Sequence, residues 1–154
     1  MGMMYDTHLP VLEFLFQNFK IESVLELGVG EASSPFLAQR ARVVSVEADI
    51  GWYQKFKATH LCSALDFACR NTDRYDLVFV DSNPASERSE CVRLMLPLAT
   101  FVVAHDTEPE SEWNYGYSKI ELPDGFVRLD YTKATPWTSI FTQKTEIISK
   151  WSDL

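Results

Sequence analysis

The 154-residue sequence predicts an α/β fold: a doubly wound, mostly parallel sheet with helices on both faces. Three observations predict it. Strand-like and helix-like segments alternate along most of the chain. Strand candidates such as Tyr75 to Val80 are near-continuous apolar runs, which suit strands covered on both faces. Polar, chemistry-bearing residues recur where those runs end, and open α/β sheets bind ligands outside the carboxyl ends of their strands.

The elements follow in order. Leu9 to Phe19 carries Leu12, Leu15, Phe16 and Phe19 at helical spacing, with Pro10 in the first turn. Val24 to Val29 is a strand that ends at Gly28 and Gly30. Ser33-Ser34-Pro35 offers a cap, and Phe36, Leu37 and Arg40 continue a helix. Val43 to Val46 is a second strand ending on Glu47-Ala48-Asp49, and Gly51 to Lys57 a short helix. His60 to Cys62 reads as a brief third strand, followed by a helix over Ala64 to Cys69. Tyr75 to Val80 delivers Asp81, and Ser86 to Met95 is a polar helix that Ser86 would cap. Leu98 to Ala104 is another buried strand, ending at His105-Asp106-Thr107-Glu108. After an irregular, acidic and aromatic stretch, Phe126 to Thr132 and Trp137 to Thr142 form an antiparallel pair joined through Lys133 to Pro136.

A chain of this length buries about 68–70% of its unfolded surface, enough for one core. One domain over residues 1–154 is therefore expected, with an N-terminal helix in 1–20, a core over 21–145 and a tail at 146–154. Fourteen Lys plus Arg against 22 Asp plus Glu leave a net charge of −8. Non-specific nucleic-acid affinity comes from Lys and Arg releasing counterions, so no nucleic-acid partner is expected. No apolar run reaches the roughly 18 residues a membrane helix needs, and no basic start with an apolar stretch marks a signal peptide. No membrane association and a cytoplasmic location are expected. Met1-Gly2 is not read as a myristoylation site, because Asp6 stands where that motif requires Ser or Thr. Cys62, Cys69 and Cys91 match no zinc or redox spacing and read as buried, reduced thiols.

The topology brings Glu26 to Gly30, Glu47, Asp81 and His105-Asp106 to one rim. Any one acid there also reads as a solvated strand end; four together read as a site. Gly28-Val29-Gly30-Glu31-Ala32-Ser33 departs from the dinucleotide fingerprint, and Glu31 would repel a pyrophosphate. A cofactor with a ribose, a sulfonium and an ammonium tolerates acids around the turn, which points to S-adenosylmethionine. Glu47 lies about 20 residues beyond Gly28, the separation at which an acid ending the second strand accepts hydrogen bonds from ribose hydroxyls.

Through Val24-Leu25-Glu26-Leu27-Gly28-Val29-Gly30, Val43-Val44-Ser45-Val46-Glu47, Tyr75 to Asp81 and Pro136-Trp137-Thr138, the sequence resembles the class I S-adenosylmethionine-dependent methyltransferases. The resemblance covers about residues 20 to 145. It implies a Rossmann-like, seven-stranded sheet whose last strand is antiparallel. It also implies a cofactor set of Glu26, Gly28, Gly30, Glu47, Ala48, Ser63, Ala64 and Asp81. Ser63 stands in the place of the family's adenine-contacting acid, and Ala32 in that of the turn's third glycine.

Methyl transfer needs in-line attack by a lone pair and, at oxygen, removal of a proton. Asp81 and Asp106 end strands that look adjacent, and two carboxylates there can hold a divalent cation that acidifies a bound hydroxyl. In this the chain looks like the metal-dependent O-methyltransferases of catechol type, which implies Asp81 and Asp106 as magnesium ligands. His105 offers a metal-free route as general base, or a hydrogen-bonded structural role. His8 and His60 have no partner legible in the sequence.

Glu110 to Lys119 is a lid candidate whose Trp113, Tyr115 and Tyr117 either stack on an aromatic or sugar acceptor or pin the loop to the core. The expected activity is O-methylation of a small molecule, with catalysis by Asp81 and by Asp106 or His105. The alternatives are a binding-only or protein-interaction domain of this fold and, less well supported, a nicotinamide oxidoreductase. Homodimerisation through an exposed Trp151 or the N-terminal helix would complete the site walls.

Overall fold

A computed structural model describes residues 6–154; the Met1-Gly2 reading lies outside the described residues. Seven strands form one sheet: β1 (Ser23–Leu27), β2 (Arg42–Glu47), β3 (His60–Leu61), β4 (Tyr75–Val80), β5 (Ala99–His105), β6 (Val127–Tyr131) and β7 (Thr138–Thr142). Their order is β3-β2-β1-β4-β5-β7-β6. The first five pair in parallel, and β7 runs antiparallel to both of its neighbours. The antiparallel last strand is the expected one.

Alternation along the central strands splits the core into two layers. In β4, Leu77 and Phe79 join one buried cluster while Val78 and Val80 join the other. Phe101 and Val103 of β5 likewise oppose Val102 and Ala104. The first layer is covered by α1 (Leu9–Asn18), α2 (Ser33–Ala38) and α7 (Ile147–Trp151), the second by α4 (Ala64–Arg70) and α5 (Arg88–Met95). Each fully buried side chain of this kind contributes about 1.5–3 kcal/mol, so sealing both faces is what drives the alternating topology. The short α3 (Ile50–Phe56) is capped by the Asp49 carboxylate, which accepts from Trp52 N at 2.9 Å.

Several local expectations give way to tertiary contacts. Ser33 and Ser34 lie inside α2 and cap nothing; their hydroxyls are drawn to Glu26 instead. Arg40 lies past the end of α2, its guanidinium 3.7 Å from the Phe36 ring centre. Ser86 does not cap α5, which begins at Arg88 after a short 3-10 turn. The tail docks through α7, with Ile147 fully buried and Trp151 meeting Phe14 edge-on at 5.5 Å. Trp151 is half-buried and α1 turns Val11, Leu12, Phe14 and Leu15 inward, so the apolar surface offered for a dimer faces the core. Of the three free thiols, Cys91 is buried, Cys62 half-buried and Cys69 exposed.

The irregular stretch from Thr107 to Asp124 contains 3-10 turns and α6 (Glu112–Tyr115) and is tied down at its start and its middle. Glu108 accepts from Trp137 N at 2.9 Å, and the Tyr117 hydroxyl donates to His105 O at 3.0 Å. Tyr117 is fully buried and pins the loop, with Tyr115 stacked on it, whereas Trp113 is 87% exposed.

Candidate active site

The glycine turn after β1 is shaped by a close approach. Gly28 has φ +90°, and a Cβ there would sit 2.5 Å from Asp81 O and 2.6 Å from Ser82 Cα. Only glycine permits both the left-handed backbone and contact with the end of β4. Glu47 holds the turn from the other side. Its Oε2 accepts from Val29 N at 3.1 Å and its Oε1 from Asp49 N at 2.9 Å. Below the turn, Gly30 N donates to Ser34 Oγ at 3.0 Å. Ser33 and Ser34 in turn donate to Glu26 Oε1 at 2.7 and 2.9 Å. Glu26 is 1% exposed, and burial pushes its carboxyl up to about 7 against those two bonds, with Asp81 and Glu47 adding to the rise.

A cleft of about 780 Å³ opens outside the carboxyl ends of β1, β2, β4 and β5, the size of a small-molecule site. Gly30, Glu47, Ala48 and Trp52 line one end. His8, Asp81, Arg88, His105 and Asp106 line the other. The structure thus gathers most of the sequence-predicted residues, with three departures. Glu26 lies beneath the turn, and neither it nor Gly28 is on the cleft wall. Ser63 caps α4, accepting from Asp66 N at 3.0 Å, and neither it nor Ala64 lines the cleft. No residue of the lid candidate lines it either.

Asp81 and Asp106 meet through an arginine that the sequence placed only on a polar helix. The first residue of α5, Arg88, is 4% exposed. Its Nη1 lies 3.0 Å from Asp81 Oδ1 and 2.7 Å from Asp106 Oδ2, and its Nε donates to Ser82 O at 2.6 Å. Tyr115 covers the guanidinium, with its ring centre 4.7 Å away. Asp106 reaches this bridge from a left-handed backbone, φ +61°, a conformation costing a non-glycine residue about 1–2 kcal/mol. A charge-assisted bond to a buried guanidinium offsets that cost.

His105 completes the cluster and is used up by it. Thr7 Oγ1 donates to Pro136 O at 3.0 Å, so at 3.0 Å from His105 Nε2 it can only accept. His105 Nδ1 faces Asp81 at 3.5 Å and Asp106 at 3.7 Å, and carboxylates only accept. Nε2 therefore carries a proton, and the two carboxylates facing Nδ1 favour a second one there. The direction of the shift agrees: burial opposes charge on His105, but the Asp81 hydrogen bond and the two carboxylates raise its pKa. Reciprocally, burial works against an ionised Asp81, yet His105 and Arg88 hold it below the ordinary carboxylate range.

Ligand atoms of Asp81, His105 and Asp106 lie within 4.8 Å of one another, the compactness a metal would need. The donor set does not fit magnesium. Arg88 already bridges the two carboxylates, and His105 faces them with Nδ1, its protonated form favoured by their charge. A hard divalent cation wants six or more oxygen ligands and would have to displace a buried guanidinium. As arranged here, Asp81 and Asp106 therefore do not fit the expected magnesium ligation.

Arg88, Thr7 and His8 are the site residues that sequence reasoning missed. An arginine opening a polar helix carries no local mark of burial, and neither Thr7 nor His8 sits in a motif.

No protein-family model matches the chain, and no curated protein sequence matches it. Solved structures do. A Staphylococcus aureus protein assigned as a caffeoyl-CoA O-methyltransferase superposes with TM-score 0.65 at 14% identity, covering 86% of this chain and 81% of that one. The O-methyltransferase TomG of Streptomyces achromogenes, in complex with S-adenosylmethionine, gives TM-score 0.59 at 20% identity over 87% and 77%. An rRNA methylase of Streptococcus thermophilus gives 0.63 at 12% identity over 92% and 98%. The acceptors named for these proteins differ while the architecture is shared. The chain has the fold of the class I S-adenosylmethionine-dependent methyltransferases.

Proposed function

We propose that this chain is an S-adenosylmethionine-dependent methyltransferase acting on a hydroxyl oxygen of a small aromatic or sugar molecule. The observation that carries the reading is the pairing of Glu47 with the Gly28 turn at one end of a single cleft whose other end holds the Asp81, Arg88, His105 and Asp106 cluster. When bound, the cofactor supplies an electrophilic methyl group. Gly28 and Gly30 shape the turn that would face its amino acid part, and Glu47 with Ala48 would take the ribose. Asp81, at the junction of the two ends, would serve both cofactor and acceptor. The cluster sets Asp81 and Asp106 against Arg88 and His105, so it holds polar groups in fixed orientation at the acceptor end. With Arg88 in the cation position, no metal ion enters this reading.

A second reading, cofactor binding without turnover, draws on the acceptor end being left uncovered by residues 107–124. Calorimetry with S-adenosylmethionine and S-adenosylhomocysteine tests both, on wild type and Glu47→Ala, with and without magnesium. Binding by wild type, unchanged by magnesium and weakened about tenfold or more in the variant, is expected from the loss of ribose hydrogen bonds. No binding by wild type would sink both readings. Binding with no transfer to phenolic or glycoside acceptors would favour the second.

A further inference from the structure

His105 is engaged by Thr7 at Nε2 and by the carboxylates facing Nδ1, which favour its protonated form, yet another imidazole stands beside it. His8 precedes α1, is 2% exposed, and lines the acceptor end of the cleft. Its ring centre lies 5.0 Å from Phe79 and 5.0 Å from His105, edge-on to the latter. Neither Nδ1 nor Nε2 has a hydrogen-bond partner among the described residues. A buried polar group left unpaired costs about 1–3 kcal/mol, so two on one ring call for a reason.

We propose that His8 is the general base that accepts the acceptor's hydroxyl proton in the methyl transfer proposed above. The inference rests on that reading of the cleft and adds the residue it lacked.

The titratable groups facing His8 are His105, Asp81 and Asp6. Burial, then the charge of His105, lowers His8 to about 4 against the pull of Asp81 and Asp6, so its ring is neutral with a lone pair free. So weak a base suits a phenol better than a sugar alcohol. It suffices because a hydroxyl becomes strongly acidic as its oxygen forms a second bond to carbon. The phenol oxygen's lone pair bonds the methyl carbon, the carbon–sulfur pair stays on sulfur, and the O–H proton passes to His8. The positive charge lost at sulfur reappears on the imidazolium, near Asp81, and the step balances.

The test uses phenol and 4-nitrophenol as probe acceptors. Nitrogen NMR of histidine-labelled protein with S-adenosylhomocysteine, assigned with His8→Asn, should show at pH 7 an unprotonated His8 ring nitrogen whose resonance moves when phenol is added. His8→Asn should bind S-adenosylmethionine within about threefold of wild type. It should lose about 100-fold or more in kcat/KM with phenol. With 4-nitrophenol at a pH where it is already ionised, the loss should fall to a few-fold, because no proton remains to be taken.

A doubly protonated His8 at pH 7, a resonance indifferent to phenol, or equal losses with both probes would overturn the assignment. So would a wild type that binds cofactor and methylates neither probe. Failure of wild type to bind cofactor is a different result and removes the methyltransferase reading itself. Should His8→Asn not fold, the response of the wild-type resonance to phenol decides.

Discussion

Replacing Glu26 with glutamine isolates one buried proton beneath the glycine turn. Its carboxyl is 1% exposed and, through burial first and then Asp81 and Glu47, stands at about 7 in the folded protein against an ordinary 4.5. Between those values the folded chain keeps a proton that the unfolded chain has released. Stability from this group is therefore full below about pH 4.5 and is lost as pH rises toward and through 7. At 1.36 kcal/mol per pH unit the gap amounts to about 3 kcal/mol. Glutamine does not titrate, and its carbonyl can still accept from Ser33 and Ser34. Urea unfolding of both proteins from pH 4.5 to 8 should give similar free energies at the acid end and a variant more stable by up to about 3 kcal/mol at pH 8. In a domain of this size that corresponds to roughly 6–12 °C in Tm. His8 and His105 titrate in both proteins and cancel in the difference. A difference that stays constant across the range, or a variant less stable at pH 8, would refute the buried-proton argument.

Two further outcomes follow from the packing around the turn and the cluster. Gly28→Ala places a methyl 2.5 Å from the backbone of Asp81 at a left-handed φ, and should cost about 3 kcal/mol or more by urea denaturation, with cofactor affinity lost in what still folds. Arg88→Met leaves two largely buried carboxylates facing each other and should cost about 3 kcal/mol by urea denaturation, while wild-type stability is indifferent to chelators.

Much of the fold is legible locally. Buried strands announce themselves as apolar runs because both faces of a parallel sheet are covered, and β4 and β5 fall where those runs lie. The glycine turn and Glu47 are legible because a left-handed backbone and a strand-end acid are properties of a few adjacent residues. The serine caps fail for the same locality: Ser33 and Ser34 look like caps until a buried carboxyl seven and eight residues away claims their hydroxyls. The tail at 146–154 carries no legible element in the sequence, and α7 docks because Ile147 reaches the sheet face.

By itself, then, the sequence determined the α/β alternation, the buried central strands and the rim on which Gly28, Glu47, Asp81 and His105 stand, since period-two burial and turn chemistry act over a few residues. Only the tertiary structure decided that Arg88 bridges Asp81 and Asp106, that His105 sits between Thr7 and those carboxylates, and that His8 enters the cleft with no hydrogen-bond partner among the described residues. Those outcomes depend on strand register and helix crossovers joining residues as far apart as Thr7 and His105, whose pairing no local pattern encodes.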